Sequence, residues 1–136
     1  MPLELPERDP CPFCLNVAGT NPYPCAVIED RGNTFAFVSP HQWTQGAVLV
    51  IPKRHARTIL ELTDEEAAGV MQCVVRMANA MNEALEIDGL NILQNNGELA
   101  YQSIPHVHFH VVPRHRGDGW RPSARPPLSP FEERQK

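Results

Sequence analysis

Residues 104–113, Ile-Pro-His-Val-His-Phe-His-Val-Val-Pro, constrain the fold of this chain more than any other stretch. Imidazoles at His106, His108 and His110 alternate with Val107, Phe109 and Val111. Successive side chains of a strand point to opposite faces, so a strand over residues 106–112 has one apolar face and one imidazole face. The apolar face has to be buried, which requires a sheet with a core laid against it. The imidazole face has three readings. A solvent-facing edge that happens to use histidine is the plainest, yet a row of imidazoles is a poor way to build a merely wet surface; an isolated metal patch is the second. The third is catalytic. Neutral imidazole is a good nucleophile and proton carrier near neutral pH, and a row of them suits phosphoryl chemistry, one attacking phosphorus while its neighbours hold the oxygens.

The remaining chain supplies such a sheet. Residues 25–29 and 34–38 are rich in β-branched and aromatic side chains and are separated by Asp30-Arg31-Gly32-Asn33, so an antiparallel hairpin is expected. Residues 46–51 form a nearly continuous apolar run, expected to be buried on both faces and to end at Pro52. Thr63-Asp64-Glu65-Glu66 is a capping box that opens a helix running to about Glu86, with acidic side chains placed well against the dipole. Ala67, Val70, Met71, Val74, Met77, Ala78, Met81, Ala84 and Leu85 recur along it at the spacing of one buried stripe, with Gly89 just beyond its end. Residues 90–93 and 106–112 add two strands, joined by a loop through Asn95, Asn96 and Gly97. Three strands, a helix and two strands make an α+β arrangement. Residues 1–24 and 113–130 are rich in proline and read as loops or arms.

A chain of 136 residues with no internal repeat fits a single domain, residues 1–136, large enough to bury its own core. Its longest apolar run, residues 47–51, is far too short to cross a bilayer, so no membrane partner is expected. The first residues have neither the basic start nor the apolar stretch of a secretory signal, and a cytoplasmic location with unpaired thiols is expected. A formal net charge of −4 gives no general attraction for nucleic acid. Any phosphate is therefore bound locally, on a small molecule.

The second group of chemical interest begins at Cys11-Pro12-Phe13-Cys14, whose spacing lets two thiolates turn toward one metal ion. A closed tetrahedral site needs two more ligands, and the sequence offers His55 and His106. Unligated core cysteines are the alternative. A redox role is weaker, because no strand precedes the pair and no helical pattern directly follows it. Cys25 and Cys73 have no comparable partner and read as structural.

His106-Val-His-Phe-His-Val-Val resembles the signature of the histidine-triad (HIT) family, in which three histidines alternate with apolar residues. The likeness extends to Leu49-Val50-Ile51-Pro52-Lys53-Arg54-His55, to Gln102-Ser103 before the triad, and to Asn95 and Gly97 in the loop upstream. Residues from about 9 to 116 can be laid along a bacterial-type zinc-containing HIT protein, with 117–136 as a C-terminal arm. The resemblance implies a five-stranded, mainly antiparallel sheet with one long amphipathic helix and a short N-terminal segment. It implies that His108 is the nucleophile on an α-phosphorus, that His110 binds the phosphate and assists proton movement, and that Asn95, Gln102 and Ser103 contact substrate. It also implies that His106 is a zinc ligand, completing a structural site with Cys11, Cys14 and His55. Three positions depart from the family pattern. Ala47 stands where many relatives have a further histidine, with His41 nearby; Ser39 stands where an acidic residue often meets the ribose; Tyr101 stands where glycine is usual.

The expected activity is hydrolysis of a nucleoside phosphoramidate, an adenylated adduct or a dinucleoside polyphosphate through a nucleotidyl-histidine intermediate. The alternatives are nucleotidyl transfer to a phosphorylated acceptor and a zinc-stabilised nucleotide-binding module with little catalysis. Family resemblance suggests a homodimer joined through the helix and an edge strand. The segment 114–136, with Trp120 and several prolines, is expected near the mouth of the active site.

Overall fold

The computed structural model describes residues 3–121. The order is α1 (Pro12–Ala18), β1 (Val27–Arg31), β2 (Thr34–Val38), β3 (Val48–Pro52), α2 (Asp64–Leu85), β4 (Gly89–Leu93) and β5 (Phe109–Arg114), with short 3₁₀ turns at Ile59–Glu61 and Glu98–Ala100. The five strands form one sheet in the spatial order β1-β2-β3-β5-β4, and every neighbouring pair is antiparallel. This is the expected α+β architecture. The hairpin turn is tighter than the sequence suggested: Asp30 and Arg31 belong to β1, and only Gly32 and Asn33 are left to turn, with Gly32 in left-handed backbone at φ 54°.

The two faces of the sheet are covered by different elements. On one face α2 lays Val70, Cys73, Val74, Met77 and Met81 over Ala36, Val48, Val50 and Val111. The buried stripe is narrower and shorter than the sequence period implied: Ala67, Met71, Ala84 and Leu85 are exposed, while Cys73 is buried. The helix touches the sheet over a narrow arc, and Met71 lies a full residue step, about 100° around the axis, from Val70. Thr63 and Glu66 form the capping box as anticipated. The helix is closed by Glu86 in left-handed backbone, whereas Gly89 opens β4 opposite Arg114.

On the other face Phe35, Phe37, Leu49 and Ile51 pack against Phe13 of α1, with Cys11, Val17 and Ile104 around them. Helix α1 corrects the reading of the N-terminal 24 residues as loop. Cys11 caps it, Pro12 occupies its first turn, and Gly19 closes it at φ 74° by donating its N–H to the Asn16 carbonyl. Strand β3 is consequently buried on both faces throughout. Among the described residues no helix is long and apolar enough to cross a membrane.

Candidate active site and metal centre

The histidine run enters its strand later than the alternation implied. β5 begins at Phe109, so His106 and His108 precede it and only His110 sits within it, paired to Leu49 and Leu93. Pro105 interrupts extended pairing, and the Val107 N–H is taken by the Ala56 carbonyl at 2.8 Å rather than by a neighbouring strand.

That displacement brings His106 to the cysteines. One donor atom from each of Cys11, Cys14, His55 and His106 lies within 4.8 Å of all the others. His106 Nδ1 is 3.5 Å from both sulfurs, and His55 Nδ1 is 3.3 Å from Cys14 Sγ. A tetrahedron with metal bonds of about 2.0–2.3 Å has edges of roughly 3.3–3.8 Å, so the spacing matches a metal-sized gap. His106 Nε2 donates to the Pro52 carbonyl at 2.8 Å, which fixes the tautomer and leaves the Nδ1 lone pair facing the sulfurs. Burial holds His106 neutral, its pKa lowered to about 4 against the opposing pull of the Pro52 carbonyl. Burial, with the hydrogen bond and charge of Cys11, pushes Cys14 up to about 11. A thiol raised in this way becomes a thiolate only with a cation beside it. These residues are positioned to bind a metal ion, and two thiolates with two imidazoles suit zinc.

His108 is 4% exposed and donates from Nδ1 to the His106 carbonyl at 2.7 Å. Its Nε2 therefore carries the lone pair. Burial lowers its pKa, the same carbonyl acting in the opposite sense. The His110 ring lies 4.9 Å from that of His108, and its pKa is lowered to about 4 by burial first and by His108 second. Two neutral imidazoles thus meet at neutral pH.

Both open onto a cavity of about 510 Å³ between α1 and the sheet. Phe13, Phe37 and Leu49 form its apolar walls; Ser39, His41 and Ser103 add polar groups. Phe13 also meets the His108 ring edge-on at 5.1 Å. Trp43 packs on His110 at 4.6 Å and stacks on Trp120 at 5.6 Å, while the Arg114 guanidinium lies 4.8 Å over Trp120 and is itself held by Asp118. The start of the expected arm therefore reaches Trp43, which in turn packs on His110; the arm after residue 121 lies outside the described residues.

Of the other residues singled out by sequence, Ser39 and Ser103 line this cavity, and Asn95 and Gln102 do not. Gln102 is 2% exposed with its amide fully used: Oε1 accepts from the Gly97 N–H, and Nε2 donates to the carbonyls of Arg57 and Ile104. It braces the loops around the triad. The Ser39 hydroxyl is engaged with the backbone of His41. Ala47 follows Gly46 just before β3 and is buried, and Trp43 instead supplies the aromatic contact to His110. Tyr101 adopts left-handed backbone at φ 69°, a conformation that favours glycine. Sequence reasoning passed over Phe13, Trp43 and Asn16. For Phe13 and Asn16 the available signal was Pro12 and Gly19 bracketing a short helix; Trp43 sits in an irregular loop and carried none.

Comparison with known proteins places these features in a common setting. A family profile described as HIT domain matches residues 21–117. The Bacillus subtilis protein hit is 41% identical over 111 residues, which is 81% of this chain and 75% of that protein. Adenosine 5'-monophosphoramidase hnt1 of Schizosaccharomyces pombe is 37% identical over 127 residues, 90% of this chain and 89% of that protein. The crystal structure of a Zn-bound histidine triad family protein from Mycobacterium smegmatis superposes with a TM-score of 0.77 at 35% identity, covering 87% of this chain and 84% of that one.

Proposed function

This chain belongs to the HIT domain family, and on that footing we propose that it hydrolyses a nucleoside 5'-phosphoramidate or a related α-phosphate adduct, with His108 as nucleophile. The observation that carries the proposal is the hydrogen bond from His108 Nδ1 to the His106 carbonyl, because it commits the other ring nitrogen to the basic form. The name of the fission-yeast relative, a phosphoramidase, supports the choice of substrate.

In the first step the His108 Nε2 lone pair forms a bond to the α-phosphorus as the bond from phosphorus to the leaving nitrogen breaks. The electron pair stays on that nitrogen, which takes a proton from solvent, passed along by neutral His110 as it accepts a second one in exchange. Water then attacks the nucleotidyl-histidine, giving a nucleoside monophosphate, freeing His108 and leaving the water's spare proton on His110, from which it returns to solvent. Ser103 offers a hydroxyl to the phosphate oxygens from the cavity wall. Phe13 and the His106 carbonyl hold His108 in one orientation across both steps. Zinc, held by Cys11, Cys14, His55 and His106, would supply a fixed cross-link with no open coordination position.

The test is turnover of an adenosine phosphoramidate by the purified protein and by His108→Ala. Loss of at least about 10³-fold in kcat is expected for the variant, with label from the nucleotide trapped on the wild type alone. Equal turnover by the two proteins would end the proposal.

A further inference from the structure

The end of the cavity away from the histidines has a polarity that the chemistry above does not use. We propose that Asn16 reads the nucleobase as a hydrogen-bond donor, so that the site selects nucleotides of 6-oxopurines, guanine or hypoxanthine, over those of adenine. The inference rests on the nucleotide reading of the cavity.

Placement comes first. The Phe13 ring centre is 5.1 Å from that of His108, and Asn16 lies three residues further along the same helix. Residues at that spacing are neighbours on one helix face, about 5–6 Å apart. Asn16 therefore lines the same cavity about one helical turn beyond the side chain that meets the nucleophile. Phe13, Phe37 and Leu49 lie along the way and suit a flat ring.

Polarity follows from a short chain of hydrogen bonds. The backbone N–H of Tyr23 donates to Asn21 Oδ1 at 3.0 Å. An N–H can only donate, so the orientation of the Asn21 amide is settled. Its NH₂ group therefore faces Asn16 at 2.7 Å and the Pro12 carbonyl at 3.4 Å. An NH₂ group must be met by an acceptor, so Asn16 turns its oxygen to Asn21, and its own NH₂ has no partner among the described residues. Arg8, which can only donate, lines the same cavity. Guanine and hypoxanthine offer adjacent O6 and N7 acceptors to such groups, whereas adenine sets an N6 amino donor beside N7.

The experiment is calorimetric titration with GMP, IMP and AMP. The wild type is expected to bind GMP and IMP about three- to tenfold more tightly than AMP, the difference expected for one hydrogen bond made or lost. Asn16→Asp keeps an acceptor for Asn21 and replaces the donor, so the preference should swing toward AMP. Asn21→Asp acts at one remove: it still accepts from Tyr23 but now draws the Asn16 NH₂ inward, turning the Asn16 oxygen to the base and giving the same swing. A purely structural Asn16 would shift the three affinities together in both variants. Equal affinity of the wild type for the three nucleotides, or an unchanged preference in both folded variants, overturns base reading while leaving the hydrolase proposal standing. Failure of all three nucleotides to bind overturns both.

Discussion

At the scale of single residues, the site depends on imidazoles that have lost their water. Burial disfavours the charged form, and the pKa values of His108 and His110 both fall below the ordinary histidine value, that of His110 to about 4. A lowered value means the neutral, reactive form persists into mild acid. The rate of phosphoramidate hydrolysis is therefore expected to stay level as pH falls through about 6.5 and to drop only further into acid, as the pKa of about 4 held by His110 is approached. A pH profile of kcat/KM that halves near 6.5 would contradict this environment. The alternation of histidine with apolar residues was enough to single out His108 and His110. It did not reveal that His106 leaves the strand, because that depends on the Val107 N–H finding the Ala56 carbonyl, two segments distant in sequence. Gln102 was likewise legible as important and illegible in role: a side-chain amide shows its partners only when the loops around it are in place.

Among the elements, α2 was the most legible and α1 the least. A capping box, an acidic first turn and a long apolar period all announce α2, and its start falls where they put it. The cap does more than begin the helix. Glu66, which closes the box on the Thr63 N–H, also receives both arms of Arg54, the residue before His55, so the helix start and the metal-site loop share one carboxylate. Thr63→Ala is expected to destabilise the protein by about 1 kcal/mol, measured by urea denaturation, with zinc content unchanged. A loss of zinc would show that the box also holds the metal loop. Helix α1 spans seven residues inside a proline-rich segment, too short for periodicity to register. Only its capping pattern marks it, yet it carries Phe13 and Asn16 to the cavity and Cys14 to the metal centre.

On the scale of the whole molecule, the sheet is a partition. Its α2 side is a conventional core, held by burial and by the Arg76–Glu29 ion pair between helix and β1. Its other side carries the histidines and is closed by α1, which no strand pairing attaches to the sheet. The candidate metal ligands span that side, bringing Cys11 beside His106 over 95 positions of sequence. Dialysis against a strong chelator is expected to lower the thermal midpoint by at least about 5 °C, with recovery on adding zinc. An unchanged midpoint would mean that no metal holds the two segments together. The sequence held the four ligands but not the division of the sheet, since nothing local says which element lies over which face. Because α1 carries both Cys14 and Phe13, and the His106 carbonyl orients His108, a protein starved of metal is expected to lose the cavity wall and the aim of its nucleophile together, so scarcity of the metal would show as a joint fall in affinity and turnover.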